Sequence, residues 1–193
     1  MISKGKATET EKIILGVDPG TSIMGYGLIH IHKSKITLLQ FGVIHLSKYN
    51  NHGIKLSKIF ERVVQLIDEY HPDEMAIESP FYGKNVQSML KLGRAQGVAI
   101  AAAISREVPI SEYAPKKVKQ AVTGNGNASK EQVSSMLCTL LKIQDAPKLF
   151  DSTDALAVAL CHHFQGRTLK SESGNWSSFL KDNPDRIIPS KKK

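Results

Sequence analysis

The sequence has few cysteines, which bears on both the compartment and the kind of scaffold. Cys138 and Cys161 are the two cysteines among 193 residues, and no CxxC spacing occurs. Both lie in apolar patterns of helical period, which is typical of reduced cysteines in a protein core. The sequence therefore favours a reducing compartment over a disulfide-stabilised scaffold.

Long apolar runs are also absent. No uninterrupted stretch is long enough to cross a bilayer as a helix. The opening segment MISKGKATETEK lacks the apolar core of a secretion signal. These absences predict a cytoplasmic protein without a membrane partner. Internal repeats and low-complexity blocks are missing too, and a length of 193 residues with 41% hydrophobic content suits one domain with a sizeable core.

Acidic residues are in the minority. Eighteen Asp and Glu face 26 Lys and Arg, which leaves a formal net charge of +8. A basic balance of this size favours a polyanionic partner such as nucleic acid, although it also serves solubility alone.

The order of the apolar segments indicates an α/β fold with a mixed sheet flanked by helices. Residues 1–12 are polar and are predicted to be a flexible leader, residues 13–165 to form the folded domain, and residues 166–193 to be a basic tail. Ser129 and Gln132 form a capping-box pattern that opens a helix. The predicted strands are 13–18, 24–31, 35–45, 75–79 and 108–115, and the predicted helices are 54–71, 86–106, 116–122, 130–142 and 151–164.

Acidic side chains stand at the ends of these elements. Asp18 ends the first strand, Glu78 ends the strand MAIE, and Asp151 and Asp154 share a face at the start of the last helix. Asp18 and Glu78 lie side by side if their strands are parallel neighbours, because ligands of α/β sheets gather at the carboxyl ends of strands. Four carboxylates around one point need balancing charge, and two Mg²⁺ ions would supply it for phosphodiester hydrolysis.

Taken singly, each acid also has a structural explanation. Asp18 precedes Pro19 and Gly20 and fits a turn. Glu78 fits a solvated strand end, while Asp151 and Asp154 suit the N-cap and first turn of a helix. The ordered combination of all four is what favours a metal site.

Four segments of the chain form an ordered set of motifs. They are ILGVDPGTSIMGYGLI, AIESPFYGKNVQSMLKLGRAQGVAIAAA, YAPKKVKQAVTGNGNASKEQV and DSTDALAVALCHHF. Together they resemble the RuvC family of Holliday junction resolvases over about residues 13–164. The first segment alone is a weak signal, because DxGT turns also occur in sugar kinases and actin-like ATPases. Some family members carry a histidine where this chain has Asp151.

The resemblance implies an RNase H-like fold, a homodimer and Mg²⁺-dependent cleavage of four-way DNA junctions during recombination and repair. It assigns catalytic and metal-binding roles to Asp18, Glu78, Asp151 and Asp154, with two Mg²⁺ ions per site, Mn²⁺ as a substitute and Asp18 between them. Symmetric nicks with 5′-phosphate ends and cooperation with the RuvA–RuvB branch-migration complex are implied as well. Helix 54–71 is a candidate dimer surface because its apolar stripe is broad, although the same stripe fits a core role.

The resemblance also indicates DNA contacts. It places Phe81 at the junction crossover, where an aromatic ring stacks on or wedges between bases, although the segment PFY also fits packing under a loop. It places Lys119 and Lys130 beside the scissile phosphate, whereas the other lysines also fit a solvated face. His162 is a weaker candidate ligand. The predicted DNA contacts are Phe81, Tyr82, Lys84, Lys116, Lys119 and Lys130.

Three other functions stay open on the sequence alone. A kinase or actin-like ATPase would use DPGTSIMGYG as a phosphate loop, but such proteins pair two domains and need a longer chain. A catalytically silent junction-binding protein has no reason to keep four carboxylates together. An RNase H-like nuclease acting on RNA would share the fold and the acids.

Overall fold

The computed structural model describes residues 11–80, 85–143 and 150–171, with side chains for residues 152–166 in the last range. The five strands are β1 (Glu11–Asp18), β2 (Ile23–His32), β3 (Lys35–His45), β4 (Glu74–Glu78) and β5 (Ile110–Tyr113). The five helices are α1 (His52–Tyr70), α2 (Val86–Ile104), α3 (Pro115–Thr123), α4 (Lys130–Leu141) and α5 (Phe150–Ser171).

The strands form one mixed sheet in the order β3-β2-β1-β4-β5. Strands β1 to β3 run antiparallel to one another, while β4 pairs parallel with β1, and β5 pairs parallel with β4. The carboxyl ends of β1, β4 and β5 therefore meet at one edge of the sheet. The α/β class predicted from the sequence is confirmed.

Helices cover both faces of the sheet. Successive residues of β1 point to opposite faces, so Ile14 packs with α3, α4 and α5 while Leu15 packs with α1 and α2. The two apolar layers leave the carboxyl edge of the sheet for polar groups. Within the described part of the chain, no helix combines the length and apolarity that crossing a membrane requires.

Helix α5 lies unusually close to the sheet because two glycines face it. Gly16 of β1 and Gly27 of β2 are partners in register. A Cβ on Gly16 would overlap the Ala155 carbonyl oxygen, and a Cβ on Gly27 would lie 2.6 Å from Leu156 Cδ2. The missing side chains let α5 settle against β1 and β2, which fixes the helix segment that carries the last predicted acids.

Among the predicted boundaries that differ from the structure, two lie at the ends of the predicted domain. Strand β1 begins at Glu11 rather than at residue 13, because both added polar side chains find partners: Glu11 contacts His30, and Lys12 forms an ion pair with Glu74. Helix α5 continues to Ser171, past the predicted domain end at residue 165. Polar residues carry both extensions, so apolar periodicity did not reveal them.

Candidate active site

Asp18 and Glu78 end two adjacent parallel strands. The register pairs Val17 of β1 with Ile77 of β4, and each acid is the next residue of its strand. This is the adjacency on which the sequence-based metal site depended. Both side chains are half-buried and line the same cavity.

That cavity, of about 600 Å³, opens at the carboxyl edge of the sheet. Asp154 enters it from α5, because the close packing of α5 on Gly16 and Gly27 brings this first part of the helix over the strand ends. Lys116, Lys119 and Lys130 line the same cavity. Three of the four predicted acids and three of the predicted DNA-contacting lysines therefore share one cavity.

The remaining predicted site residues are less fully described. Asp151 lies in the first turn of α5, one turn before Asp154, but its side chain lies outside the described residues. Phe81, Tyr82 and Lys84 also lie outside the described residues. Their assigned roles stay predictions.

Glu78 carries the strongest electrostatic signature of the site. Burial, followed by the charge of Asp154, raises the pKa of Glu78 from 4.5 to about 7. The ammonium groups of Lys130 and Lys119 act in the opposite direction. The carboxylates therefore carry more negative charge than their surroundings fully stabilise.

Lys130 neutralises part of that charge. Its Nζ donates a 2.7 Å hydrogen bond to Asp154 Oδ2. Among the described residues, no three His, Cys, Asp or Glu side chains lie together as a group that could hold a metal ion. The carboxylate oxygens still match the ligand preference of Mg²⁺, and the raised pKa of Glu78 marks a place where a cation would stabilise the ionised form. The residues that fit Mg²⁺ chemically are thus Asp18, Glu78 and Asp154. Asp151, three residues before Asp154 in sequence, is the fourth predicted acid.

The lysines of the cavity lie on two consecutive helices, α3 and α4. Helix α3 begins at Pro115, ends at Thr123 and is capped by Gly124, whose φ of 77° is the left-handed conformation that favours glycine. Helix α4 opens with the predicted capping box, in which Ser129 accepts from the Gln132 backbone and Gln132 accepts from the Ser129 backbone. This capping prediction is confirmed, and it fixes Lys130 as the first residue of α4.

The cavity also contains residues that the sequence interpretation did not single out. Gly126 and Asn127 of the turn between α3 and α4 line it beside the lysines. The sequence TGNGNAS indicates a turn, but its small and polar residues are typical of any loop. The one signal for Gly126 and Asn127 was the position of this loop between Lys119 and Lys130, which were predicted to contact phosphate.

Two weaker sequence candidates lie elsewhere. His162 hydrogen-bonds to Tyr113 Oη and Glu74, and Glu74 begins β4, at the end of that strand opposite Glu78. His162 is therefore not among the residues that line the cavity. On the apolar stripe of α1, Ile59, Val63 and Ile67 are buried in the core, as the alternative core role expects. Phe60 of the same stripe is 39% exposed, and a dimer surface on α1 stays a prediction.

Comparison with known proteins identifies the family. The family "Crossover junction endodeoxyribonuclease RuvC" matches residues 14–162, a range that spans all five strands except the first residues of β1. The chain belongs to the RuvC family. Its RNase H-like fold and its place among the crossover junction endodeoxyribonucleases follow from that membership.

Individual RuvC proteins are similar over most of their length. The chain is 65% identical to the RuvC of Cytophaga hutchinsonii over 193 residues, covering 99% of this chain and 96% of the relative. It is 58% identical to the RuvC of Christiangramia forsetii, covering 96% and 97%. Among solved structures, Thermus thermophilus RuvC in complex with a Holliday junction substrate superposes with a TM-score of 0.77 at 32% identity, covering 81% of this chain and 96% of that one.

Proposed function

We propose that this RuvC chain resolves four-way DNA junctions by Mg²⁺-dependent hydrolysis of phosphodiester bonds, leaving 5′-phosphate ends. The observation that carries the proposal is the convergence of Asp18 and Glu78, on adjacent parallel strand ends, with Asp154 and three lysines in one cavity. Clustered acids suit metal-assisted hydrolysis, and the surrounding bases suit a phosphate substrate.

In the proposed site Asp18, Glu78, Asp151 and Asp154 hold two Mg²⁺ ions, and Mn²⁺ is an acceptable substitute. Bound divalent ions would activate water for attack on phosphorus and stabilise charge on the departing oxygen. A Mg²⁺ ion bound to Asp154 would weaken the pairing of this carboxylate with Lys130. The ammonium group of Lys130 would then be better able to contact the scissile phosphate.

The lysines of the cavity bind and orient the DNA strand in this proposal. Lys119 and Lys130 contact the scissile phosphate, and Lys116 contacts a neighbouring one at the cavity mouth. Phe81 stacks at the crossover, with Tyr82 and Lys84 beside it, a set retained from the sequence interpretation. Such contacts position the substrate, and the phosphate contacts make binding sensitive to salt.

Resolution needs two coordinated nicks, and a two-fold symmetric dimer meets that need on a pseudo-symmetric junction. The outer face of α2 is the surface that supports a dimer here. Val86, Leu90 and Ile104 are 64%, 51% and 63% exposed on it, and Gly93 and Gly97 leave open space between them. Helix α2 follows Glu78 closely in sequence, so pairing through α2 would couple the geometry of two active sites. Action alongside the RuvA–RuvB complex and a cytoplasmic location complete the proposal.

The decisive experiment is cleavage of a synthetic mobile four-way junction with Mg²⁺, mapped to the nucleotide on all four strands. Paired nicks at symmetric positions with ligatable ends are expected. Asp18→Asn should bind the junction without cutting it, while Glu69→Gln, an exposed acid on α1, should cut normally. Undiminished cutting by Asp18→Asn would overturn the site assignment.

Parallel substrates separate the alternatives. A nuclease for RNA would cut an RNA–DNA hybrid in preference to the junction, and a silent binding protein would bind the junction without nicking it. Heat released on titration with ATP would indicate the kinase-like function instead. The resolvase predicts cutting of the junction and no ATP binding.

A further inference from the structure

Gln120 is exposed on α3 and does not line the cavity, yet its side chain spans the turn that does. Its Nε2 donates a 2.7 Å hydrogen bond to the Gly124 carbonyl oxygen. Its Oε1 accepts a 3.0 Å hydrogen bond from the Gly126 N–H. The Gln120 carbonyl oxygen also accepts from the Gly124 N–H at the end of α3. One residue therefore makes three hydrogen bonds across two turn residues.

The other ties of the turn are local. Thr123 Oγ1 is close to the carbonyl oxygens of Lys119 and Asn125 and accepts from the Asn125 N–H. The Asn125 side chain accepts from the Asn127 N–H. Of these hydrogen bonds, those of Gln120 reach from the body of α3 to Gly126. Loss of the Gln120 side chain would therefore free the middle of the turn while leaving its ends attached.

Both sides of this turn carry cavity residues. Gly126 packs so tightly on α3 that a Cβ there would lie 2.8 Å from Lys116 Cγ. Asn127 lines the cavity, and Lys130 follows at the start of α4 with its Nζ 2.7 Å from Asp154. Lys130 thus follows Gln120 by ten residues of chain. This segment is fixed at Gly126 by the Gln120 side chain and at Ser129 by the capping box of α4.

We propose that Gln120 is a positioning residue for the cleavage reaction. Its amide clamps the 124–126 turn and thereby sets Lys130 and Asn127 against the carboxylates of the cavity. Both ends of an amide are required, because the turn offers Gln120 one acceptor and one donor. This role rests on the proposed function, in which Lys130 acts on the scissile phosphate.

The test combines single-turnover cleavage with an amide-exchange measurement. Gln120→Ala should lower the single-turnover rate at saturating junction by ~10- to 100-fold, because small displacements of an active-site group have effects of that size. Junction affinity should stay within about twofold, since no phosphate-binding group is removed. Gln65→Ala, at an exposed glutamine of α1, is the matched control and should leave the rate unchanged.

Two readouts separate positioning from general destabilisation. In a Lys130→Met background, Gln120→Ala should lower the single-turnover cleavage rate by less than about twofold, because both changes remove the same contribution to that rate. Hydrogen exchange of the Gly126 amide, followed by NMR, should accelerate in Gln120→Ala. Gln120→Glu keeps the acceptor for Gly126 and loses the donor to Gly124, so it should protect Gly126 yet cleave slowly. If the alanine variant is unfolded, Gln120→Met replaces it in every measurement, because methionine keeps the length of the side chain and removes both amide hydrogen bonds.

Full additivity with Lys130→Met, or unchanged Gly126 exchange in Gln120→Ala, would overturn the proposal. Failure of the wild type to cut any junction would refute the proposed function instead. The exchange measurement would still decide in that case whether Gln120 holds the turn.

Discussion

Lys130 and Asp154 form an ion pair across the mouth of the cavity, with 2.7 Å between Nζ and Oδ2. They come from different helices, α4 and α5. Lys130 is one of the lysines that line the cavity, and Asp154 is one of its acids. The pair places a positive charge against one of the carboxylates that line the cavity. In the proposed function a bound metal ion would take over the role of this lysine as counter-charge, which makes removal of the lysine informative.

Lys130→Met should therefore have opposite effects on metal binding and on cleavage. Without the ammonium group the cavity is more negative, so Mg²⁺ should bind the DNA-free protein more tightly in a calorimetric titration. Single-turnover cleavage should nevertheless fall by ~100-fold, because a charged donor to the transition state is lost.

Lys116→Met is the matched comparison. Lys116 lines the same cavity, but its effect should appear as weaker junction binding with a smaller salt dependence, in line with one lost phosphate contact. Equal Mg²⁺ affinity in wild type and Lys130→Met would argue against the counter-charge role.

Glu78 should make the metal-free protein less stable as pH rises. Its pKa of about 7 in the fold exceeds the ordinary 4.5, so the folded state binds more protons than the unfolded chain between these pH values. The stability that this group contributes is fully present below pH 4.5 and is lost as the pH rises from there through 7. The free energy of unfolding should fall by ~3 kcal/mol over this range because of the shifted pKa.

Glu78→Gln removes this dependence. In urea unfolding with EDTA, the variant should become the more stable protein by pH 8, and the advantage should vanish near pH 4.5. Added Mg²⁺ should narrow the gap at pH 8 by stabilising the ionised carboxylate of the wild type. Glu69→Gln should follow the wild type throughout, and parallel curves for Glu78→Gln and wild type would contradict the shifted pKa.

The fold and the meeting of two acids were within reach of the sequence. Helix α1 joins β3 to β4, which indicates that these strands are parallel, and two antiparallel steps give β1 the direction of β3. Asp18 and Glu78 therefore end strands of one direction, but only the sheet order shows that β1 and β4 are neighbours. The position of Asp154 required more, because the close seating of α5 depends on two glycines, Gly16 and Gly27, that face each other on different strands.

Other features depend on three-dimensional contacts that no local pattern encodes. The Lys130–Asp154 pair joins residues 24 positions apart. The sequence could not tell which apolar side chains of α1 and α2 are buried, because both helices carry apolar residues on more than one face. Only packing shows that Ile59 of α1 is buried while Leu90 of α2 is exposed.

Gly16→Ala should displace α5 and with it Asp154. The added methyl group would overlap the Ala155 carbonyl oxygen and crowd Ala159, in a place where the backbone leaves no room. Such overpacking costs ~1–3 kcal/mol of unfolding free energy, and cleavage should fall as well because the acids separate.

Gly166→Ala, in the same helix with open space around it, is the control. It should raise stability by ~1 kcal/mol because alanine favours the helix, and it should leave cleavage intact. Wild-type cleavage by Gly16→Ala would show that the acids do not depend on this close approach.

Leu90→Asp should separate the proposed dimer into monomers. The substitution places a charge on the exposed apolar face of α2, where a second copy of the chain would bury it without a partner. Sedimentation velocity should show a dimer for the wild type and a monomer for the variant. On a four-way junction the monomer should nick one strand at a time, so that single nicks accumulate before paired ones. Leu140→Asp changes an exposed leucine on α4 and should remain dimeric. A Leu90→Asp protein that sediments as a dimer and cuts both strands together would remove α2 from the interface.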